Sequence, residues 1–139
     1  MLSVKKAWRV LVLCFWVAGL PNLASASQAD GIWLPKGKVA VRTSDCGREL
    51  CGQVVWLNNP TLRTPKMCGR RIIWGLVQDG PANWNSGQIF DPDNGTIYNL
   101  NATMQAADVI VARVYEGLDV FGETKTLTRI EPQSLPGWC

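Results

Sequence analysis

The chain has 139 residues, a formal net charge of +3 and no histidine. That length suits one domain, and the missing histidine removes the commonest general base and a usual zinc ligand. A charge this small provides no basic face of the kind a nucleic-acid partner needs.

The first residues read as a targeting segment. Lys5, Lys6 and Arg9 form a basic start, Val10 to Leu20 is an apolar run closed by Pro21, and Ala24-Ser25-Ala26 is a small-x-small cleavage site. The pattern predicts a signal peptide over residues 1–26, cut after Ala26, leaving residues 27–139 as a single exported domain. The apolar run is shorter than the about 20 residues a membrane span needs, so no span is expected after cleavage. Cys14 lies in the run without the small residues of a lipoprotein signal. Loss of Lys5, Lys6 and Arg9 from 14 basic residues leaves 11 basic against 11 acidic, a net charge near zero. Loss of Cys14 from five cysteines leaves four, and an even count in an exported chain points to disulfides.

Beyond the leader, helical periodicity is weak and short β-rich runs recur between turn residues. Gly31–Leu34 opens the series. Lys38–Ser44 alternates, with Val39 and Val41 on one face. Cys51–Leu57 is nearly continuous in apolar residues, and Arg71–Gln78 carries Ile72, Ile73, Trp74, Leu76 and Val77. Trp84–Phe90 follows the turn Asp79-Gly80-Pro81. Asp93-Asn94-Gly95 is a tight-turn signal. Ile97–Met104 then alternates, with Tyr98, Leu100, Ala102 and Met104 on one face. Ala107-Asp108 turns into Val109–Tyr115, and Lys125–Ile130 is last. Eight short strands with hairpin-like links predict an all-β fold, an eight-stranded antiparallel up-and-down barrel. The longest irregular segment, Asn58–Gly69, is expected to cross an end of the barrel.

Several blocks carry a family resemblance. Asp30-Gly31-Ile32-Trp33 is similar to the Gly-x-Trp opening of lipocalins. The run Cys46-Gly-x-x-Leu-Cys51-Gly-x-Val-Val-Trp56-Leu comes next. It is followed by Trp84-x-x-Gly87-x-Ile-x-Asp91-Pro92-x-x-Gly95-x-x-Tyr98 and Gly122-x-x-x-x-Leu-x-Arg129. Together they resemble the bacterial secreted family DUF2147, a lipocalin-like barrel. The resemblance implies a periplasmic or secreted protein and supplies no enzymatic activity. The segment after Trp56 departs from the family pattern, being short and carrying Cys68. In lipocalin-like barrels a first-strand tryptophan packs under a last-strand arginine, which gives Gly31, Trp33 and Arg129 the role of barrel closure.

The remaining readings come from the residues themselves. Four cysteines allow three pairings. A tight hairpin brings Cys46 beside Cys51, and Cys68 with Cys139 would then hold the tail, so these pairs are favoured over a redox or metal site. Five tryptophans remain after cleavage, Trp33, Trp56, Trp74, Trp84 and Trp138. Trp56, Trp74, Tyr98, Arg113 and Tyr115 are expected at the interior or mouth as ligand-binding positions. Arg113 interrupts apolar Val109–Tyr115, so unless it faces solvent it needs an acidic partner or an anionic ligand. Asp91-Pro92-Asp93-Asn94-Gly95 has the wrong glycine position for a calcium loop and reads as turn chemistry. No catalytic residue, cofactor or metal is expected. The chain reads as a non-enzymatic carrier of a small apolar or amphipathic ligand. The alternative is a structural module of the cell envelope with a packed barrel.

Overall fold

A computed structural model of the protein describes residues 19, 27–35, 38–137 and 139. Apart from Gly19, the expected signal segment lies outside the described residues, as does Trp138. Eight strands follow one another: β1 (Gly31–Pro35), β2 (Val39–Asp45), β3 (Glu49–Leu57), β4 (Arg71–Gln78), β5 (Asn83–Phe90), β6 (Ile97–Ala106), β7 (Val109–Tyr115) and β8 (Glu123–Arg129). Each pairs antiparallel with the next. β8 returns to β1 through Trp33 opposite Arg129, so the sheet closes into an up-and-down barrel. Closure leaves no free strand edge.

Turn chemistry sets the links. At Asp91–Thr96, Asp91 Oδ1 accepts from Asp93 N at 2.8 Å and Asn94 Oδ1 accepts from Thr96 N at 2.8 Å. Gly95 takes φ +74° there, a conformation costly for any other residue. The β2–β3 hairpin is pinned by the Cys46–Cys51 disulfide, with a Cα separation of 5.9 Å. Pairing continues to Asp45 opposite Leu50, so β3 begins at Glu49 rather than at the predicted Cys51.

The core follows strand alternation, except at bulges. Trp33, Val41, Val54, Leu76, Trp84, Leu100, Ile110 and Ala112 form one buried cluster inside the barrel. A smaller cluster, Ile32, Ala40 and Trp56, lies on the outer face against Leu135. Three bulges, one on β3 and two on β4, change which residues of these strands face inward. On β3, Val54 and Trp56 oppose the consecutive residues Val41 and Ala40, so Val55 is extra. On β4, Arg71 and Ile73 oppose consecutive Gln53 and Gly52, so Ile72 is extra, and three steps from Ile73 to Leu76 oppose two from Gly52 to Leu50, a second extra residue beside Gly75 at φ +74°. An extra residue shifts the parity of every side chain beyond it.

Candidate ligand-binding cavity

The two ends of the barrel are built differently. At one end Trp33 is fully buried, and its Nε1 donates to Ala29 O at 2.9 Å and Thr43 Oγ1 at 3.0 Å. The Thr43 hydroxyl in turn donates to Ala29 O. The Arg129 guanidinium lies 4.2 Å from the centre of the indole ring. It donates to the carbonyls of Ala107 and Gln28, each at 2.8 Å, and to that of Asp30. Gly31 sits at φ +151°, and a Cβ there would strike the guanidinium, so this position accepts only glycine. Asp30 Oδ1 is shut off from solvent with no hydrogen-bond partner among the described residues. Burial pushes the Asp30 carboxyl above the usual range, nearby Asp45 pushes it the same way, and Arg129 acts against both.

The other end is open. A cavity of about 1110 Å³ enters the barrel between the β1–β2, β3–β4, β5–β6 and β7–β8 connections. That exceeds the volume of a typical small-molecule site. Its wall is apolar at Val39, Leu57, Leu62, Ile72, Ile89 and Val114. Leu62 comes from the irregular segment after β3, held by the short 3₁₀ turn Pro60–Leu62 with an Asn59 cap.

Polar groups gather at the rim and on β8. Tyr98 lines the cavity, and its hydroxyl accepts from Asn94 Nδ2 at 2.9 Å. Tyr115 also lines the cavity, near the mouth. Glu123 and Lys125 stand opposite Val114 and Ala112 at the solvent-filled mouth, their side chains 74% and 53% exposed, and Lys125 Nζ contacts Glu123 Oε2 at 2.5 Å. The lysine's hydrogen bond and charge hold the Glu123 carboxyl below its usual range. These two residues escape a reading based on apolar runs. Their signal was parity, since Glu123, Lys125, Leu127 and Arg129 share one face of β8.

Three expected ligand positions do not line this cavity. Trp56 is turned outward by the β3 bulge and donates from Nε1 to Pro136 O at 2.7 Å, beneath the C-terminal tail. Cys139, disulfide-bonded to Cys68 with a Cα separation of 5.2 Å, donates from its backbone N to Val55 O at 3.0 Å and holds that tail. Trp74 is displaced in the same way, lying between the two β4 bulges, and its Nε1 donates to Gln88 Oε1 at 3.0 Å on the outer surface. Arg113 alternates outward between Ala112 and Val114. It binds Asp119 Oδ1 at 2.8 Å and Asp119 O at 2.7 Å, and reaches Thr124 Oγ1 at 3.1 Å. Its acidic partner is thus within the chain, and it anchors the β7–β8 loop. That loop carries Leu118, Val120 and Phe121, which are 66%, 72% and 80% exposed at the mouth.

Comparison with known proteins agrees with this architecture. Residues 31–129 match the family described as an uncharacterized protein conserved in bacteria, DUF2147. The chain belongs to the DUF2147 family. The solved structure of protein HP1028 from the human pathogen Helicobacter pylori, described as belonging to the lipocalin family, is similar to it. The TM-score is 0.61 and the identity 15%, over 75% of this chain and 84% of that one. No curated protein matches the chain. DUF2147 here is therefore a lipocalin-like barrel, packed at one end and hollow at the other. Among its described residues no helix is long and apolar enough to cross a membrane.

Proposed function

We propose that the protein binds a small apolar or amphipathic molecule in its barrel, as a carrier or sensor outside the reducing cytoplasm. The cavity of about 1110 Å³ with its apolar wall carries this reading. A barrel serving only as a structural module would fill those inward positions with larger side chains. Tyr98 and Tyr115 supply contact near the mouth. Trp56 and Arg113 act instead on tail and loop, and Trp74 lies against Gln88 on the outer surface. Two disulfides fit an oxidising compartment, as does the proposed leader of residues 1–26. Binding, rather than catalysis, is the chemistry the cavity wall supports.

Native mass spectrometry of protein purified from its own host tests the proposal. A mass excess that organic denaturant releases is the expected result. A bare polypeptide mass, together with no uptake of an environment-sensitive apolar dye, would refute it.

A further inference from the structure

The C-terminal tail and the β3–β4 connection are fastened to each other. After β8 the chain crosses back over the outer face of the barrel. Ile130 N donates to Ile32 O at 2.9 Å, Leu135 packs on the Ile32–Ala40–Trp56 cluster, and Pro136 O accepts from Trp56. The tail then meets segment 58–69 twice. A Cβ on Gly137 would come within 2.7 Å of the Arg63 guanidinium, and Cys139 is bonded to Cys68. Arg63 in turn donates to Leu57 O at 2.7 Å and lies 5.5 Å from the centre of the Trp56 ring.

The same segment forms part of the cavity, where Asn58, Asn59 and Leu62 line the wall. Among the described residues, the backbone hydrogen bonds of Thr61 to Cys68 stay within residues 59–70. Its ties to the barrel are therefore the packing of Leu62 and Met67, the Arg63 bond and the disulfide. The tail is weakly held without that disulfide, because ordering so many residues costs more than a few hydrogen bonds and one leucine return. Cys139 is exposed and Cys68 half-buried, so a dissolved thiol can reach the bond.

We infer that the Cys68–Cys139 bond is a redox latch on the cavity: its reduction by a dithiol frees the tail, and with it the Leu62 segment, so that the bound molecule leaves faster. This rests on the reading of the barrel as a ligand carrier. One thiolate of the dithiol attacks Cys139 Sγ, the S–S bond breaks, and Cys68 departs as a thiolate that takes up a proton. The donor's second thiolate attacks the mixed disulfide and releases Cys139, so the donor gives two electrons and ends as its own disulfide. The Cys46–Cys51 bond has no comparable reach. Cys51 is buried, the strand pairing of Asp45 with Leu50 holds the hairpin, and neither cysteine lines the cavity.

Stopped-flow release of a preloaded environment-sensitive apolar dye from the signal-free protein, before and after dithiothreitol, tests the latch. Alkylation and peptide mass mapping show which cysteines have opened. Release is expected to quicken about tenfold, a coupling of ordinary size, and to return to its first rate on reoxidation. Cys68→Ser with Cys139→Ser should release fast from the start and gain nothing from the reductant. An unchanged rate with Cys68 and Cys139 alkylated would overturn the latch, as would a tail bond that resists dithiothreitol while Cys46–Cys51 opens. A double variant that still responds would assign the effect to the hairpin bond and overturn it too. Far-UV circular dichroism separates gating from unfolding: loss of the strand signal on reduction would make the bond a fold element and refute the inference. All these outcomes leave the carrier standing, whereas oxidised protein that takes up no dye would remove the carrier reading and the latch together.

Discussion

Arg129 and Asp30 meet at the closed end with opposite energetic signs. Arg129 stacks on Trp33 and satisfies the carbonyls of Gln28, Asp30 and Ala107. Replacing it leaves those acceptors unpaired, which costs about 2–3 kcal/mol in total for partly exposed groups. For a domain of this size that is a fall in melting temperature of roughly 10 °C. Arg129→Lys should recover only part, because an ammonium lacks the planar fork. Thermal unfolding followed by circular dichroism measures both, and equal stability of wild type and Arg129→Ala would dismiss the closure role. Asp30 works the other way. Its carboxyl is raised in the fold from an ordinary 3.8, so the folded protein holds this proton more tightly than the unfolded chain. The resulting stabilisation is complete below the unfolded value and is lost as pH rises through the folded one. Asp30→Asn should therefore gain stability near neutral pH and flatten the fall across that window. Urea midpoints over a pH series check this, and a variant with the wild-type slope would show that Asp30 is not the source.

Element by element, legibility depended on parity. β6 was open to reading because nothing interrupts its face: Tyr98, Leu100, Ala102 and Met104 line the interior as their alternation requires. β4 and β7 have the bounds that their apolar runs indicate. The tryptophans were not open to the same reading. Whether Trp56 or Trp74 faces inward turns on extra residues in β3 and β4; those at Val55 and Ile72 leave no local mark inside an apolar run, and Gly75, at φ +74°, is the one residue that signals a bulge beside Trp74. Tyr98 could be placed at the cavity from alternation alone; Glu123 and Lys125 needed the pairing partner on β7 as well. The tail was another matter, because its attachment lies in long-range contacts. The Cys68–Cys139 bond closes a separation of 71 residues, against 5 for Cys46–Cys51. In the chain-entropy model the long loop is worth about 4 kcal/mol and the short one about 2. Cys68→Ser with Cys139→Ser should thus shift the urea midpoint about twice as far as Cys46→Ser with Cys51→Ser. Equal shifts would mean that the tail contributes little beyond its own contacts.

Across the whole molecule, stability and binding are divided between the two halves of one barrel. The closed half holds Trp33, Trp84 and the buried Leu100, Ala102, Ile110 and Ala112 of β6 and β7. The open half keeps its wall apolar but unfilled. β7 crosses the boundary in a single inward step, from Ala112 in the packed cluster to Val114 on the cavity wall. The same enlargement at these two positions should therefore have opposite consequences. Ala112→Trp forces an indole into a space already occupied, and overpacking of a core costs about 1–3 kcal/mol or more. Val114→Trp extends into the cavity, where it covers apolar wall and displaces nothing, so stability should stay within about 1 kcal/mol of wild type. Binding should respond in reverse: Val114→Trp should cut the affinity for an apolar dye by tenfold or more, whereas Ala112→Trp, where it folds, should retain it. Thermal unfolding and dye titration on the pair supply both readouts. If Val114→Trp binds dye as well as wild type does, the cavity is not the binding site. If both variants lose stability equally, the open half is as tightly packed as the closed one.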